Sequence, residues 1–321
     1  MENIQKNNKI WIAWEVHRRT IELNKVFNAK LFLFKRRYCV EYPLLLFKSW
    51  LIIHSERPKV LIVQNPSLIL TLLACILKNF YKCKLIVDAH NAGLFPLGVK
   101  TNEPPYIYQY LQRKADITIV TNDVLADIVK ENGGKAFVLP DRIPDVPGMY
   151  KKTLKGKHNI MVISTFGEDE PYAEMIKAAT GFKNDFYFYV TGNYEKSNQD
   201  LRKKVPSNLI FTGFLSDEEY WNLLYSVDLM VDLTMRENCL VCGAYEAVAA
   251  GTPMVLSDTH TLRTYFYKGA VFSENNVDSI VQAIKKALES ENRLRSEVKE
   301  LKHELRRKWD LTVSKILRIM Q

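Results

Sequence analysis

Short apolar runs alternate along the chain with longer stretches in which apolar residues return at helical spacing. In the first half the runs are KIWIAW (9–14), AKLFLF (29–34), KVLIVQ (59–64), CKLIVD (83–88), ITIV (117–120) and AFVLP (136–140). In the second half they are NIMVIST (159–165), DFYFYVTG (185–192), NLIFTG (208–213), LMVDLT (229–234), PMVLSD (253–258) and AVFS (270–273). Runs this continuous, rich in β-branched and aromatic residues and separated by helix-length segments, predict parallel strands covered by helices on both faces. The pattern runs through twice. It predicts an α/β chain with two Rossmann-like, doubly wound parallel-sheet domains facing each other across a cleft.

A length of 321 residues suits two domains of roughly 150 residues. Periodicity fails at DRIPDVPGMYKKTLKGK (141–157), where prolines, glycines and lysines collect. The domains are therefore drawn at 1–145 and 159–290, with a linker at 146–158. Residues 291–321, with 9 basic and 5 acidic side chains and Trp309, Leu311, Ile316 and Leu317, read as an amphipathic helix. That helix packs back on the N-terminal domain or meets a membrane.

Composition excludes a disordered or fibrous chain, since 47% of residues are hydrophobic and 25% charged. The polar opening Met1–Lys9 predicts no secretory leader, and the longest apolar run, Leu68–Leu77, is too short to span a membrane. A cytoplasmic location is expected. Five cysteines form no disulfide framework there. Cys239-x-x-Cys242 lacks the second ligand pair that a zinc site requires, and no metal is expected.

Dividing the charge changes the picture. Residues 1–100 hold 16 Lys or Arg against 6 Asp or Glu, a balance of +10, so the rest of the +9 chain sums to −1. A basic N-terminal half suits an anionic membrane or a phosphorylated substrate. Nucleic acid is not expected as a partner, because no nucleic-acid motif accompanies the charge. YPLLLFKSWLIIHSERPK, from Tyr42, is flanked by Lys35, Arg36, Arg37, Arg57 and Lys59. It has two readings, a core helix and a peripheral contact at the inner face of the cell membrane.

Ligands of open parallel sheets sit beyond the carboxyl ends of the strands. The segments there are Glu15–Thr20, Asn65–Ser67, Ala89–Gly93, FGEDEP (166–171), GNYEK (192–196), GFLSDEE (213–219), MRENC (235–239) and DTHTLR (258–263). Neither G-x-G-x-x-G nor G-x-x-x-x-G-K-[ST] occurs among them, which excludes the usual dehydrogenase and P-loop sites. Phosphate binding then falls to a helix N-terminus. LMVDLT, a short loop and GAYEAVAA, ended by Gly251 and Pro253, supply one, with Glu246 near its start to accept hydrogen bonds from vicinal hydroxyls.

This strand, loop and helix, followed by EAVAAGTPMVLSD, resemble the C-terminal signature of GT-B glycosyltransferases, in particular the large retaining family 4 with its Glu-x7-Glu motif. NLIFTGFLSDEEYWNLLYSVDLMVDLT and NNVDSIVQAIKKAL resemble the same family, and VQNPS and VDAHNAG do so more loosely. The resemblance implies a donor ribose on Glu246, a donor sugar against Glu237 and a diphosphate on the amides of about 239–243. Donor-binding candidates are thus Glu246, Arg236, Asn238, Gly243, Gly192 and Arg263. His90, Asp88 and Glu237 are the catalytic candidates. The chain departs from the family in having eight residues between the glutamates, NCLVC in place of a glycine-aromatic-glycine loop, and no Arg or Lys in STFGEDEP. Arg236 and Arg263 are assigned to the phosphates instead.

The implied activity is a hexosyl transfer from a UDP- or GDP-linked nucleotide sugar to a glycan or lipid-diphosphate-linked acceptor, in cell-surface polysaccharide or glycolipid assembly. The resemblance makes it retaining, without metal or other cofactor. Were it inverting, Asp88, His90, Glu15 or His17 would serve as base. Two alternatives stand beside this reading: a nucleotide-sugar epimerase of the same architecture, and a non-catalytic anion- or nucleic-acid-binding protein.

Overall fold

The computed structural model describes residues 9–35, 39–65, 67–94, 106–183, 185–196 and 205–321. Arg36, Arg37 and Pro66 lie outside the described residues.

The chain forms two compact units, one made of Met1–Arg142 and Trp309–Gln321, the other of Ile143–Lys308. The first unit holds a six-stranded sheet of β1 (Lys9–Ala13), β2 (Lys30–Leu33), β3 (Val60–Asn65), β4 (Lys84–Ala89), β5 (Ile117–Val120) and β6 (Ala136–Val138), in the order β2-β1-β3-β4-β5-β6. Every pairing is parallel. Side chains alternate across it: Ile10, Ile12 and Trp14 enter one core, and Trp11 and Ala13 enter another with Phe27. Both faces of the central strands β1, β3, β4 and β5 are dry, which is why these strands read as unbroken apolar runs. Each large side chain so buried contributes about 1.5–3 kcal/mol of transfer free energy.

The second unit repeats the plan. Its strands are β7 (His158–Val162), β8 (Phe186–Thr191), β9 (Leu209–Gly213), β10 (Leu229–Asp232), β11 (Met254–Ser257) and β12 (Ala270–Ser273), ordered β12-β11-β10-β7-β8-β9, again all parallel. Met161 and Met230 face one core, and Ile160, Val162, Leu229 and Val231 the other. The twelve strands lie where the apolar runs place them. The largest difference is at β7, which stops at Val162, because the backbone of Thr165 and Phe166 turns away to bind a side chain.

The segment 139–154 has no regular structure, but it is held. Ile143, Val146, Met149 and Leu154 pack into the second unit's core, and the amides of Tyr150 and Lys152 donate to Asn222 Oδ1 (3.0 Å) and Ser226 Oγ (2.7 Å). The last helix, Glu291–Ile319, is shared. Leu294, Val298, Leu301 and Leu305 belong to the cores of the second unit. Trp309, Val313, Ile316 and Met320 complete a core of the first, where Trp309 Nε1 donates to Pro140 O at 3.1 Å.

Candidate active site

In the second unit the strand order reverses between β7 and β10, so the loops after these two strands flank the topological switch point. After β7 the chain folds around the carboxylate of Glu170. The amides of Thr165 (2.9 Å) and Phe166 (3.0 Å) and the hydroxyls of Ser164 (2.6 Å) and Thr165 (2.6 Å) all donate to it. Phe166 has φ 56°, in the left-handed region, and this turns consecutive N–H groups toward one point, the geometry of an anion nest. Gly192, at φ 94° just past β8, lies against the same loop. A Cβ there would stand 1.9 Å from Ser164 O, so no other residue fits without moving the nest.

After β10 the helix Cys242–Ala250 begins. Its N-cap, Val241, has no side-chain acceptor, and the Gly243 amide donates instead to Asp232 Oδ2 at 3.0 Å. Asp232 is buried at the end of β10, and burial pushes its carboxyl well above the usual range, with Glu170 and Glu246 adding repulsion and the Gly243 N–H opposing. Gly243 permits the approach, since a Cβ would lie 2.4 Å from Asp232 Oδ2 and 2.6 Å from Ile163 Cδ1.

Glu246 is half-buried on this helix, whose residues Gly243, Ala244, Tyr245 and Ala247–Ala250 are buried. Its Oε2 accepts a short hydrogen bond from the Tyr220 hydroxyl. Burial, then the Glu246 charge, raises the Tyr220 phenol far above its ordinary value, so it stays protonated and holds the carboxylate in place.

The other candidates take separate partners. Arg236 Nε pairs with Asp169 Oδ2 at 2.8 Å, and Asp169 O accepts from Met235 N at 2.6 Å, joining the loops after β7 and β10. Glu237 is exposed and accepts from the His260 amide at 2.8 Å, capping the helix His260–Tyr265. Arg263 grips Asp258 with Nε and Nη2 and lies 4.6 Å over the Phe272 ring. Asn238 is half-buried in the loop between Glu237 and the helix. The thiols of Cys239 and Cys242 are reduced, and no cluster of three His, Cys, Asp or Glu able to hold a metal occurs among the described residues.

In the first unit the order reverses between β1 and β3. Asp88, near the end of β4, is fully buried; its Oδ1 accepts from Arg19 Nε at 2.9 Å. Arg19 also reaches Asp141 Oδ1 (2.5 Å) and Leu139 O (2.8 Å). Burial works against the guanidinium charge, but Asp88 and Asp141 more than offset it, and the Arg19 pKa is raised. His90 follows β4, its amide on Asn65 O and its ring 4.2 Å from that of His17. Its Nε2 lies 3.8 Å from Asp88 Oδ2, and neither atom has a hydrogen-bond partner among the described residues. Burial lowers the His90 pKa to about 4 despite Asp88, so the imidazole is neutral at pH 7.

The structure thus brings Asp88 to His90 and sets Glu246 and Gly243 on one helix. Glu237, Arg236 and Arg263 go to three different partners. Arg19, Glu170, Asp232 and Tyr220 were not singled out from sequence. The signal available for Asp232 was an acid inside an apolar strand, the same signal that Asp88 gives.

Residues 150–305 match the family model of glycosyl transferases group 1. The second unit is a glycosyltransferase group 1 domain, carried on a GT-B fold. No curated protein matches this sequence. Among solved structures it is similar to HepE of Anabaena in complex with UDP, at 11% identity and TM-score 0.74, over 97% of this chain and 99% of that one. A glycosyltransferase of Rickettsia africae has 14% identity and TM-score 0.73, covering 98% of each chain. Sucrose-phosphate synthase of Thermosynechococcus elongatus has 13% identity and TM-score 0.71, over 90% of this chain and 79% of that one.

Proposed function

We propose that this glycosyltransferase moves a hexosyl group from a UDP- or GDP-linked donor to a glycan or lipid-diphosphate-linked acceptor in cell-surface polysaccharide or glycolipid assembly, retaining configuration and needing no metal. The observation that carries the reading is Glu246, a half-buried carboxylate set by Tyr220 on the helix after β10, beside the switch point of a group 1 glycosyltransferase domain. A carboxylate so held accepts hydrogen bonds from both hydroxyls of a ribose. HepE, solved with UDP and with UDP-glucose, supports a uridine donor.

As the glycosidic bond breaks, negative charge collects on the departing diphosphate, and catalysis rests on stabilising it. Arg236 and Arg263 are the cations assigned to that task. Each is paired with an aspartate, but the pairs are solvent-exposed. A single exposed pair such as Arg236–Asp169 contributes about 0.2–1 kcal/mol, and the two-pronged Arg263–Asp258 pair more, so a diphosphate displaces Asp169 more readily than Asp258. Glu237 is assigned to the donor sugar, Asn238, Gly243 and Gly192 to the donor's surroundings, and neutral His90 with Asp88 to hydroxyl recognition in the first unit, which is assigned to the acceptor.

A melting screen against nucleoside diphosphates tests the assignment. UDP or GDP raises the melting temperature, and Glu246→Ala abolishes the rise while leaving the unliganded protein folded. Unchanged nucleotide affinity in that variant rejects the ribose role. Donor conversion that proceeds without acceptor or transfer rejects the transferase in favour of an epimerase.

A further inference from the structure

Two neighbouring helices of the first unit, Tyr42–Glu56 and Leu68–Tyr81, turn apolar residues outward. On the first, Leu44 (54% exposed), Phe47 (55%) and Leu51 recur at i, i+3 and i+7; on the second, Ile69, Leu72, Ile76 (63%) and Phe80 (78%) share one face in the same way. Leu45, Ser49 and Ile53, and Leu70, Thr71, Ala74 and Cys75, are the positions each helix buries against its own unit. Surface helices ordinarily present polar residues to water, and a contiguous apolar face marks a surface that something covers.

The two stripes are joined by rings. Phe47 lies 5.8 Å from Trp50, Trp50 5.6 Å from His54, His54 6.0 Å from Tyr81 and Tyr81 5.0 Å from Phe80, with His54 Nδ1 and the Tyr81 hydroxyl 2.8 Å apart. Basic residues border them. Lys48 is exposed on the first helix, and Arg57 and Lys82 are exposed at the C-caps of the two helices. Lys59 is exposed at the foot of β3, where its carbonyl accepts from the Lys84 amide. Between residues 39 and 84 there are six basic residues and two acids, Glu41 and Glu56; Glu56 is paired with Lys30, Lys78 with Asp116, and Lys84 donates to the Ile319 carbonyl, so Lys48, Arg57, Lys59 and Lys82 form the border.

We infer that this face is a docking surface for an anionic lipid bilayer. Apolar side chains enter the acyl boundary, amphipathic Trp and Tyr rings sit at headgroup depth, and Lys and Arg, apolar along their stems, reach the phosphates. Charge decides between occupants: a second copy of the chain would bring the same basic border against itself, whereas an anionic headgroup layer complements it. No helix among the described residues is long and apolar enough to cross a membrane, so the contact is peripheral. The inference is independent of the sugar transferred.

Flotation of the full chain with vesicles of phosphatidylcholine, with and without phosphatidylglycerol, tests it. The chain floats with the phosphatidylglycerol vesicles and is released by salt. Ile76→Ser with Phe80→Ser lowers partitioning at least about tenfold through lost apolar burial. Arg57→Gln with Lys82→Gln lowers it by roughly tenfold on anionic vesicles alone. All four side chains are exposed, and an unchanged melting temperature shows that the variants fold. Absence from both vesicle fractions, equal binding to neutral vesicles, or a stable dimer that Ile76→Ser with Phe80→Ser splits would each overturn the proposal.

Discussion

His90 is neutral because it is enclosed, and that enclosure has a cost that depends on pH. Its pKa falls from 6.5 to about 4 on folding. The unfolded chain therefore takes up the proton first, and stability is full above about 6.5 and lost as pH falls toward 4. At roughly 1.4 kcal/mol per pH unit the loss reaches about 3 kcal/mol. His90→Gln removes it, so the stability difference between parent and variant changes in the variant's favour from pH 7 to pH 4; a difference that is flat over this range refutes the burial assignment. Asp232 behaves in the opposite sense. Its carboxyl is raised, chiefly by burial. The stability it contributes is present below its unfolded value near 4 and declines as pH rises through its folded value. Both acids sit in apolar strand runs, CKLIVD and LMVDLT. Only Asp88 was read from the sequence as a site residue, in VDAHNAG, the segment that resembles the family and offers a base for an inverting reaction. The partners that give each acid its role are distant in the chain: Arg19 for Asp88, Gly243 for Asp232, Tyr220 for Glu246. No local pattern encodes such pairings.

At the scale of elements, the strands were legible because the central ones are buried on both faces and so written in apolar residues, and the half-buried edge strands β2, β6 and β9 keep enough of that pattern. The site loops were not, since polar residues between strands look alike whether they bind a ligand or one another. STFGEDEP read as a loop lacking phosphate-binding cations; folded, it is a set of donors already closed on Glu170. The helix Cys242–Ala250 was legible from its small residues and its terminal Gly251, at φ 77°, but its capping by a strand residue was hidden. Gly243→Ala tests that cap. The added methyl must displace Asp232 or Ile163, at a cost of about 1–3 kcal/mol, and the start of the helix shifts with it. Urea unfolding should register that loss together with weakened UDP or GDP binding; a variant as stable as the parent would show that the contact yields freely.

For the molecule as a whole, the +10 balance of the first hundred residues was legible as a surface property but not as a place. The structure puts its bare apolar counterpart on two adjacent helices. The final helix was legible as amphipathic, while its division between two cores follows from its length. Trp309→Ala tests the first unit's share. The substitution empties a buried site, removes the bond to Pro140 O and the contact with Arg142, and costs about 3–5 kcal/mol. Calorimetry should show the first unit's transition moved down with the second unit's retained; a single transition shifted intact would mean that the units unfold as one.

The shared helix also orders events during synthesis. Trp309, Val313, Ile316 and Met320 are the buried apolar residues of the last stretch of helix, yet they pack in one core with Trp11, Phe27 and Ile62, far back in the sequence. Domains usually fold as they leave the ribosome, the N-terminal one before the next. Here one face of the N-terminal sheet emerges covered in part, by Leu23 and Phe27 of the helix Arg18–Phe27, and stays so while the second unit is translated. The half of the molecule made first is thus the half whose core closes last, when Trp309 to Met320 join it.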